Sequence, residues 1–270
     1  MNRAKVVEPE ELSAQQIAEF TQGFTVPMLK RMHRHSTGNG IQSLEWPRIS
    51  RSQFLAIDES QLSKICHYPE AIPSLNTIDF SGFNHALILG SSFPWLELYL
   101  MKRKVQEITT VEYRELKWDV RQLPTRWSAM TFEEFRTRAG LGDFQGRFDL
   151  FISYSSIEHS GLGRYGDLID PNGDIDTLRV IRPTLHKQAA VFLAIPLGLD
   201  CVLFNRHRVY GMLRLKQLCM ALGRTKVAGC TPFISDSQDR KDGNGDMRID
   251  NLINSPVGND GTQVLIKFID

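Results

Sequence analysis

Short apolar segments that alternate with helical ones constrain the fold of this chain more than any other feature. The predicted strands are HALIL at 85–89, EITTVE at 107–112, WSAM at 127–130, FDLFISY at 148–154, AAVFLAIPL at 189–197, and two segments at 226–234 and 262–269. Helices are predicted at 95–104, from Thr131 onward, at 177–187 and at 213–222. Strands that are continuous apolar runs and alternate with helices are typical of a mostly parallel sheet with helices on both faces.

Residues 1–77 differ from the rest of the chain, because they show helical patterning and few strand signals. Helical segments are predicted over 10–32 and 52–66, and Pro73 lies close to the end of this region. We therefore predict a helical N-terminal extension followed by one α/β domain at 78–270.

The composition is ordinary for a soluble globular protein, with 41% hydrophobic and 23% charged residues. A formal net charge of +1 gives no indication of binding to nucleic acid or to an anionic membrane. The four cysteines stand far apart, which is typical of reduced thiols in the cytosol rather than of a zinc cage or a disulfide framework. Because no apolar run has the length of a signal peptide or of a membrane span, we expect a cytoplasmic protein.

The loop after the strand at 148–154 contains the densest set of ionisable side chains. Loops at the carboxyl ends of strands are where open α/β sheets bind their ligands, so this loop is predicted to line the main site. His159 is a candidate general base, because histidine is suited to proton transfer near neutral pH, and Glu158 is a second base or an orienting group. The alternative is that this pair caps a helix or anchors the loop.

Arg164 and Tyr165 lie in the glycine-flanked turn GLGRYG and are predicted to bind substrate. A guanidinium group at Arg164 suits a carboxylate or a phosphate, which it contacts through two parallel hydrogen bonds. The alternative for Arg164 is an internal salt bridge to Asp167, Asp170 or Asp174.

A polar and basic segment, NRHRVYG at 205–211, follows the apolar run CVLF. Alternation along an extended chain predicts Asn205 and His207 on one face, with Arg206 and Arg208 on the other. Because neighbouring strands end at the same edge of the sheet, His207 is predicted to approach His159 and to bind substrate. The alternative is a structural histidine with satisfied hydrogen bonds.

The strand HALIL ends at Gly90 and Ser91, where a glycine allows close approach of the backbone to a ligand. Glu112 ends the next strand, 22 positions later (112 − 90). This spacing is close to the ~20 residues at which an acidic side chain binds ribose hydroxyls in nucleotide-binding folds. The alternative is an ordinary tight turn, since the glycine pattern is not G-x-G-x-x-G.

At these motifs the chain resembles the S-adenosylmethionine-dependent methyltransferases of the Rossmann-like type. HALILGSS is similar to their first motif, TTVEYRE to their second and FDLFISYSSIEH to their fourth. The resemblance implies that S-adenosylmethionine is the cofactor and that it is bound by Leu89, Gly90, Ser91, Glu112 and Ser155. More closely, SSIEHSGLGRYGD, IPLG and NRHRVYG resemble an uncharacterised domain family first catalogued from nematode proteins, and the similarity covers about residues 78–270.

The chain also departs from the methyltransferase pattern. Ile88 stands where such enzymes usually carry an acidic residue, and Ser92 and Pro94 occupy the second and third glycine positions. The segment WSAMT lacks the acidic residue that commonly lies near the adenine.

No metal site is predicted. Asp167, Asp170, Asp174 and Asp176 are hard oxygen ligands of the kind that magnesium and calcium prefer, but Asp-Pro-Asn-Gly is by itself a turn signal. The acidic stretch after residue 235 is not an EF-hand, because Met247 and Ile253 occupy the positions that require glycine and glutamate.

The predicted function is methyl transfer to a small-molecule or glycan-type acceptor, without nucleic acid or a membrane span. One alternative is a transferase that uses a nucleotide-linked sugar, in which Asp167 and Asp170 hold a metal. A second alternative is a non-catalytic domain with a degenerate cofactor cleft.

Overall fold

This computed structural model describes residues 12–23, 25–30, 44–66, 68, 70–119, 123–165, 167–229 and 262–270. The strands of this part are β1 (Met28–Lys30), β2 (Leu44–Glu45), β3 (His85–Leu89), β4 (Glu107–Glu112), β5 (Leu116–Lys117), β6 (Arg126–Thr131), β7 (Phe148–Tyr154), β8 (Leu185–Leu197), β9 (Cys201–Phe204), β10 (His207–Val209), β11 (Lys226–Gly229) and β12 (Thr262–Ile269). The α-helices are α1 (Ala14–Phe20), α2 (Arg51–Ala56), α3 (Glu59–Ile65), α4 (Ala71–Leu75), α5 (Trp95–Lys102), α6 (Phe132–Gly140), α7 (Gly173–Ile181) and α8 (Met212–Leu222).

The main sheet has seven strands in the order β11-β12-β8-β7-β3-β4-β6. The five strands β6, β4, β3, β7 and β8 are all parallel to one another, whereas β12 runs antiparallel to both β8 and β11. The chain passes from β3 outward to β4 and β6, and then returns to β7 on the other side of β3. The predicted Rossmann-like α/β fold is therefore confirmed, as a mostly parallel sheet that is partly mixed. Its switch point lies between β3 and β7, where such folds bind ligands.

The core lies on both faces of this sheet, because successive strand residues point to opposite sides. On β3, Ala86 and Ile88 pack with α2, α3, α4 and α5, whereas Leu87 and Leu89 pack with α6, α7 and α8. The apolar runs that predicted the strands are thus buried on both sides.

The segment before β3 contributes strands as well as helices. β1 pairs in parallel with β9, and β2 pairs with β5. These strands of two and three residues are too short to produce a periodic signal, and the sequence did not predict them. The predicted helix over 52–66 is two helices, because Asp58 caps the second one by accepting a hydrogen bond from the backbone N–H of Gln61 (2.8 Å).

The predicted helix over 177–187 is wrong in its second half. α7 ends at Ile181, a short 3-10 turn that contains Pro183 follows, and β8 begins at Leu185. Proline has no N–H to continue the helix, so the chain turns there and enters the sheet four residues before the predicted start at Ala189. The predicted strand at 226–234 is present as far as Gly229, and its remainder lies outside the described residues.

No helix among the described residues combines the length and the apolar character needed to cross a bilayer.

Candidate functional site

A polar cleft of about 300 Å³ opens at the edge of the sheet where β7 and β8 end and β12 begins. Its lining comprises Tyr68, Ser92, Ser155, Glu158, His159, Arg164, Tyr165, Pro196, Arg206, His207 and Gln263. The structure thus brings together all the residues predicted to act on or bind the substrate, and Ser155 from the predicted cofactor set. Sequence reasoning missed Tyr68 and Gln263, which come from distant parts of the chain.

A second groove, of about 560 Å³, runs along β4, β6 and α6 and contains none of the predicted site residues. Its arginines pair with carboxylates, Arg138 with Asp143 and Arg147 with Glu107, both at 2.8 Å. The polar cleft, which lies at the carboxyl ends of the strands, is therefore the candidate site.

The loop that carries the candidate residues is held by Asp167. One carboxylate oxygen of Asp167 accepts hydrogen bonds from the backbone N–H groups of Gly161 (2.7 Å) and Gly163 (3.1 Å), and the other accepts from that of Tyr165 (3.1 Å). Gly161 has a φ of +79°, and a Cβ there would collide with the carbonyl oxygen of Asp170. Asp167 is thus engaged by the turn itself, which does not favour the alternative in which it holds a metal.

Glu158 is almost completely buried beside the cleft, with 1% of its surface exposed. Its Oε1 accepts a hydrogen bond from the hydroxyl of Ser155 (2.9 Å), whereas its Oε2 has no partner among the described residues. Burial raises the pKa of Glu158 to about 7, although the Ser155 hydroxyl and the charge of Arg164 oppose the shift. A carboxyl group with this pKa exchanges a proton readily near neutral pH.

His159 has the opposite shift. Burial, together with the positive charge of Arg164, lowers the pKa of His159 to about 3, so the ring is neutral near pH 7. Its Nδ1 donates to the carbonyl of Arg206, which leaves Nε2 as an acceptor, 3.8 Å from Oε1 of Glu158. The two pKa values favour Glu158 over His159 for proton transfer.

The predicted approach of His207 to His159 is observed, with ring centroids 6.2 Å apart. Tyr165 meets His159 edge to face at 5.4 Å. Arg164 lies over the Tyr165 ring at 5.2 Å and donates to the carbonyl of Arg206 at 3.1 Å. The cleft wall is therefore a packed set of rings and cations from two separate loops.

The alternation predicted for residues 205–208 is wrong, because the chain reverses there. Asn205, with a φ of 60°, and Arg206 form the turn between β9 and β10, which are antiparallel. Arg208 consequently points into the protein, and only 2% of its surface is exposed.

Arg208 and Arg214 meet the fully buried Asp174. Arg214 pairs directly with its carboxylate, Arg208 lies 3.7 Å away, and the Tyr210 hydroxyl donates to it at 3.1 Å. Burial alone raises the pKa of Asp174, but the two arginines outweigh it and the pKa is lowered. This aspartate therefore joins α7, β10 and α8, and does not pair with Arg164.

The predicted cofactor residues lie at the ends of β3 and β4. Glu112 is buried, and its two oxygens accept hydrogen bonds from the backbone N–H groups of Ser91 (2.9 Å) and Tyr113 (3.0 Å). Burial raises the pKa of Glu112. Leu89 is buried in the core, so only its backbone faces the turn. Gly90 has a φ of +76°, and a Cβ there would collide with the Ser156 side chain, which fills the space that the glycine leaves.

A second buried carboxyl group, Glu97 in the first turn of α5, shares Ser91 with Glu112. The Ser91 hydroxyl lies 2.9 Å from the carbonyl of Phe93 and 3.1 Å from Oε2 of Glu97, and Thr110 donates to Oε1 of Glu97 at 2.9 Å. A hydroxyl has one proton, so if Ser91 gives it to Phe93, the contact with Glu97 requires a protonated carboxyl. Burial raises the pKa of Glu97 to about 7, in agreement with this state.

We expect Glu97→Gln to gain stability relative to the native chain as the pH rises from about 5 to about 8. The folded-state pKa of Glu97 lies above its ordinary value, so the native chain loses stability as the carboxyl ionises through about 7, and the neutral amide does not. Urea unfolding of both chains at the two pH values measures the difference. The exposed Glu115→Gln is the control, and an equal difference at both pH values would contradict a protonated Glu97.

The strand order and connections define the class of the domain, which is a Rossmann-like α/β fold with a mostly parallel sheet. The profile of a family described as "Caenorhabditis protein of unknown function, DUF268" matches residues 83–238, which is more than half of the chain. The chain belongs to this family, and the resemblance to the nematode family is confirmed. No curated protein is similar enough in sequence to match.

Several solved structures overlap the chain at low sequence identity. A SAM-dependent methyltransferase from Archaeoglobus fulgidus is 14% identical over 78% of this chain and 99% of that chain, with a TM-score of 0.47. A SAM-dependent methyltransferase from Thermotoga maritima is 12% identical over 77% of this chain and 90% of that chain, with a TM-score of 0.41. Another, from Leishmania major, is 11% identical over 72% of this chain and 67% of that chain, with a TM-score of 0.42.

Proposed function

We propose that this protein is an S-adenosylmethionine-dependent methyltransferase that acts on a hydroxyl group of a small-molecule or glycan-type acceptor. The observation that carries the proposal is Glu158, a buried carboxyl group with a pKa of about 7 and an unpartnered Oε2 in the cleft at the ligand-binding edge of the sheet. A hydroxyl nucleophile must lose its proton, and Glu158 is the group suited to accept it.

Glu112 and Ser91 fit the polar part of the cofactor. The carboxylate ends β4, and it is already oriented by the N–H of Ser91 at the neighbouring turn. Each carboxylate oxygen has a further lone pair for a ribose hydroxyl. When bound, S-adenosylmethionine supplies an electrophilic methyl group: the new bond to the acceptor oxygen forms as the carbon–sulfur bond breaks, with its electron pair left on sulfur.

The residues of the cleft take up the proton of the acceptor, orient it and bind it. Ionised Glu158 takes the proton of the acceptor hydroxyl on Oε2, while Ser155 holds Oε1. Neutral His159 accepts a hydrogen bond through Nε2 and orients the acceptor. Arg164, Tyr165 and His207 form the wall that binds it, and this alignment of the reacting groups supplies much of the rate enhancement.

One observation favours the alternative of a non-catalytic domain. The Ser156 side chain fills the space beside Gly90, into which a cofactor would otherwise extend. A domain that has lost its cofactor would bind neither S-adenosylmethionine nor S-adenosylhomocysteine, so titration of both against the native chain separates the two functions.

We expect Glu112→Ala to weaken binding of S-adenosylmethionine by roughly 1.5–3 kcal/mol, because a charge-assisted hydrogen bond to the ribose is lost. Isothermal titration measures the affinity. Glu112→Gln, which keeps an acceptor for the Ser91 N–H, separates loss of charge from loss of the turn, and the exposed Glu115→Ala is the control. Equal affinity in all variants would remove Glu112 from the site.

A further inference from the structure

Two buried polar atoms in the cleft have no hydrogen-bond partner among the described residues. They are Oε2 of Glu158, which accepts when the carboxyl is ionised, and Nε2 of Gln263, which donates. Buried polar groups in folded proteins are hydrogen-bonded as a rule, so each of these atoms, which belong to residues lining the cleft, offers a hydrogen-bonding position to a molecule bound there.

The fold explains why these two residues line one cleft although they are 105 positions apart (263 − 158). Glu158 follows β7, whereas Gln263 lies at the start of β12 and is paired with Pro196 near the end of β8. Because β12 runs antiparallel, its first residues reach the edge where β7 and β8 end. Glu158 and Gln263 therefore approach the cleft from the strands on either side of β8.

The chemistry of the two atoms restricts the ligand. It must donate a hydrogen to a carboxylate and accept one from an amide. A carboxylate or phosphate can accept a hydrogen bond from Gln263, but its negative charge is repelled by Glu158. A protonated amine can donate to Glu158, but it has no lone pair with which to accept from Gln263. Two neighbouring hydroxyl groups meet both requirements, because each hydroxyl donates and accepts.

We propose that Glu158 and Gln263 together bind a vicinal diol, as found in cyclic polyols and monosaccharides. Gln263 donates to the oxygen of one hydroxyl, and this fixes the neighbouring hydroxyl against Glu158. The rings of Tyr68 and Tyr165 in the cleft wall contact the carbon skeleton. The inference rests on the proposed function in one respect: if Glu158 is the base, Gln263 determines which hydroxyl lies against Glu158, and therefore which oxygen is methylated.

The test uses ligand-observed NMR titration without cofactor. The probes are myo-inositol and a panel of methyl glycopyranosides at millimolar concentrations, each compared with its monodeoxy analogues. We expect at least one diol to bind about tenfold more tightly than the analogue that lacks either neighbouring hydroxyl. Gln263→Leu should weaken that diol about tenfold and abolish the preference over the analogue that lacks the Gln263-bound hydroxyl. The exposed Gln188→Leu on β8 is the matched control, and melting temperatures verify that both variants fold.

The inference is overturned if every diol in the panel fails to bind, or if Gln263→Leu binds the best diol as the native chain does. Its failure is distinguishable from that of the proposed function, because the titration needs no methyl transfer. Diol binding without turnover in the presence of S-adenosylmethionine would refute the proposed function alone. Methylation of a polyol acceptor at a rate and at an oxygen that Gln263→Leu leaves unchanged would refute the diol alone.

Discussion

Glu158→Gln is expected to lower acceptor turnover about 10²–10⁴-fold, the usual contribution of a general base, while cofactor affinity stays close to that of the native chain. The amide keeps the size of the side chain and an acceptor for the Ser155 hydroxyl, but it takes up no proton near neutral pH. Turnover, cofactor titration and melting temperature of the variant form the measurement.

The pH dependence gives a second readout of the same residue. The ionised carboxylate is the active base, so kcat/KM of the native chain should rise with pH through about 7, the pKa to which burial raises Glu158, and the Gln variant should lose this rise. His159→Gln is the matched comparison, because the amide still donates to the carbonyl of Arg206, and it should keep substantial turnover. If His159→Gln is inactive and Glu158→Gln is not, the histidine is the base.

Asp174→Ala is expected to lower the free energy of unfolding by about 3–5 kcal/mol, because it leaves Arg208 and Arg214 buried without their counter-charge. The substitution also removes the ion pairs that join α7 to β10 and α8. Asp176→Ala is the matched control: this aspartate, two positions on, forms an exposed pair with Arg179 and should cost no more than about 1 kcal/mol.

Chemical denaturation of both variants measures the difference. A cost below about 1 kcal/mol for Asp174→Ala would mean that water or neighbouring carbonyls compensate the two arginines. Arg208 already donates to the carbonyls of Ser160, Asp170 and Pro171, which makes these groups the candidates for such compensation.

The sheet and much of the cleft were predictable from the sequence. The apolar runs around Leu87 and Phe151 are buried on both faces, so they produce an unbroken pattern that indicates parallel strands. His159 and His207 were predicted to lie close together, because each follows a strand or apolar run that ends at the same edge, and their ring centroids are 6.2 Å apart. These inferences need only strand directions and the order of elements.

The rest depends on tertiary packing that sequence spacing does not encode. Gln263 reaches the cleft because an antiparallel strand starts at the edge where parallel ones end, and Tyr68 because the segment before β3 packs there. The order of the pKa values of Glu158 and His159 could not be predicted from the sequence either, since histidine ordinarily titrates nearer to neutral pH than glutamate does. Burial reverses that order, and burial is a property of the folded chain.

The parallel pairing of β1 with β9 has a consequence for the order of folding. Met28 lies opposite Val202, 174 positions later in the chain (202 − 28), so this pairing closes a very long loop and waits until both ends are available. The same docking buries Phe20 against Phe204, with Leu162 of the glycine-flanked turn in the same cluster. The cleft wall that carries Arg206 and His207 is therefore completed late. A nascent chain completes its ligand-binding edge only after β12, which carries Gln263, has been synthesised.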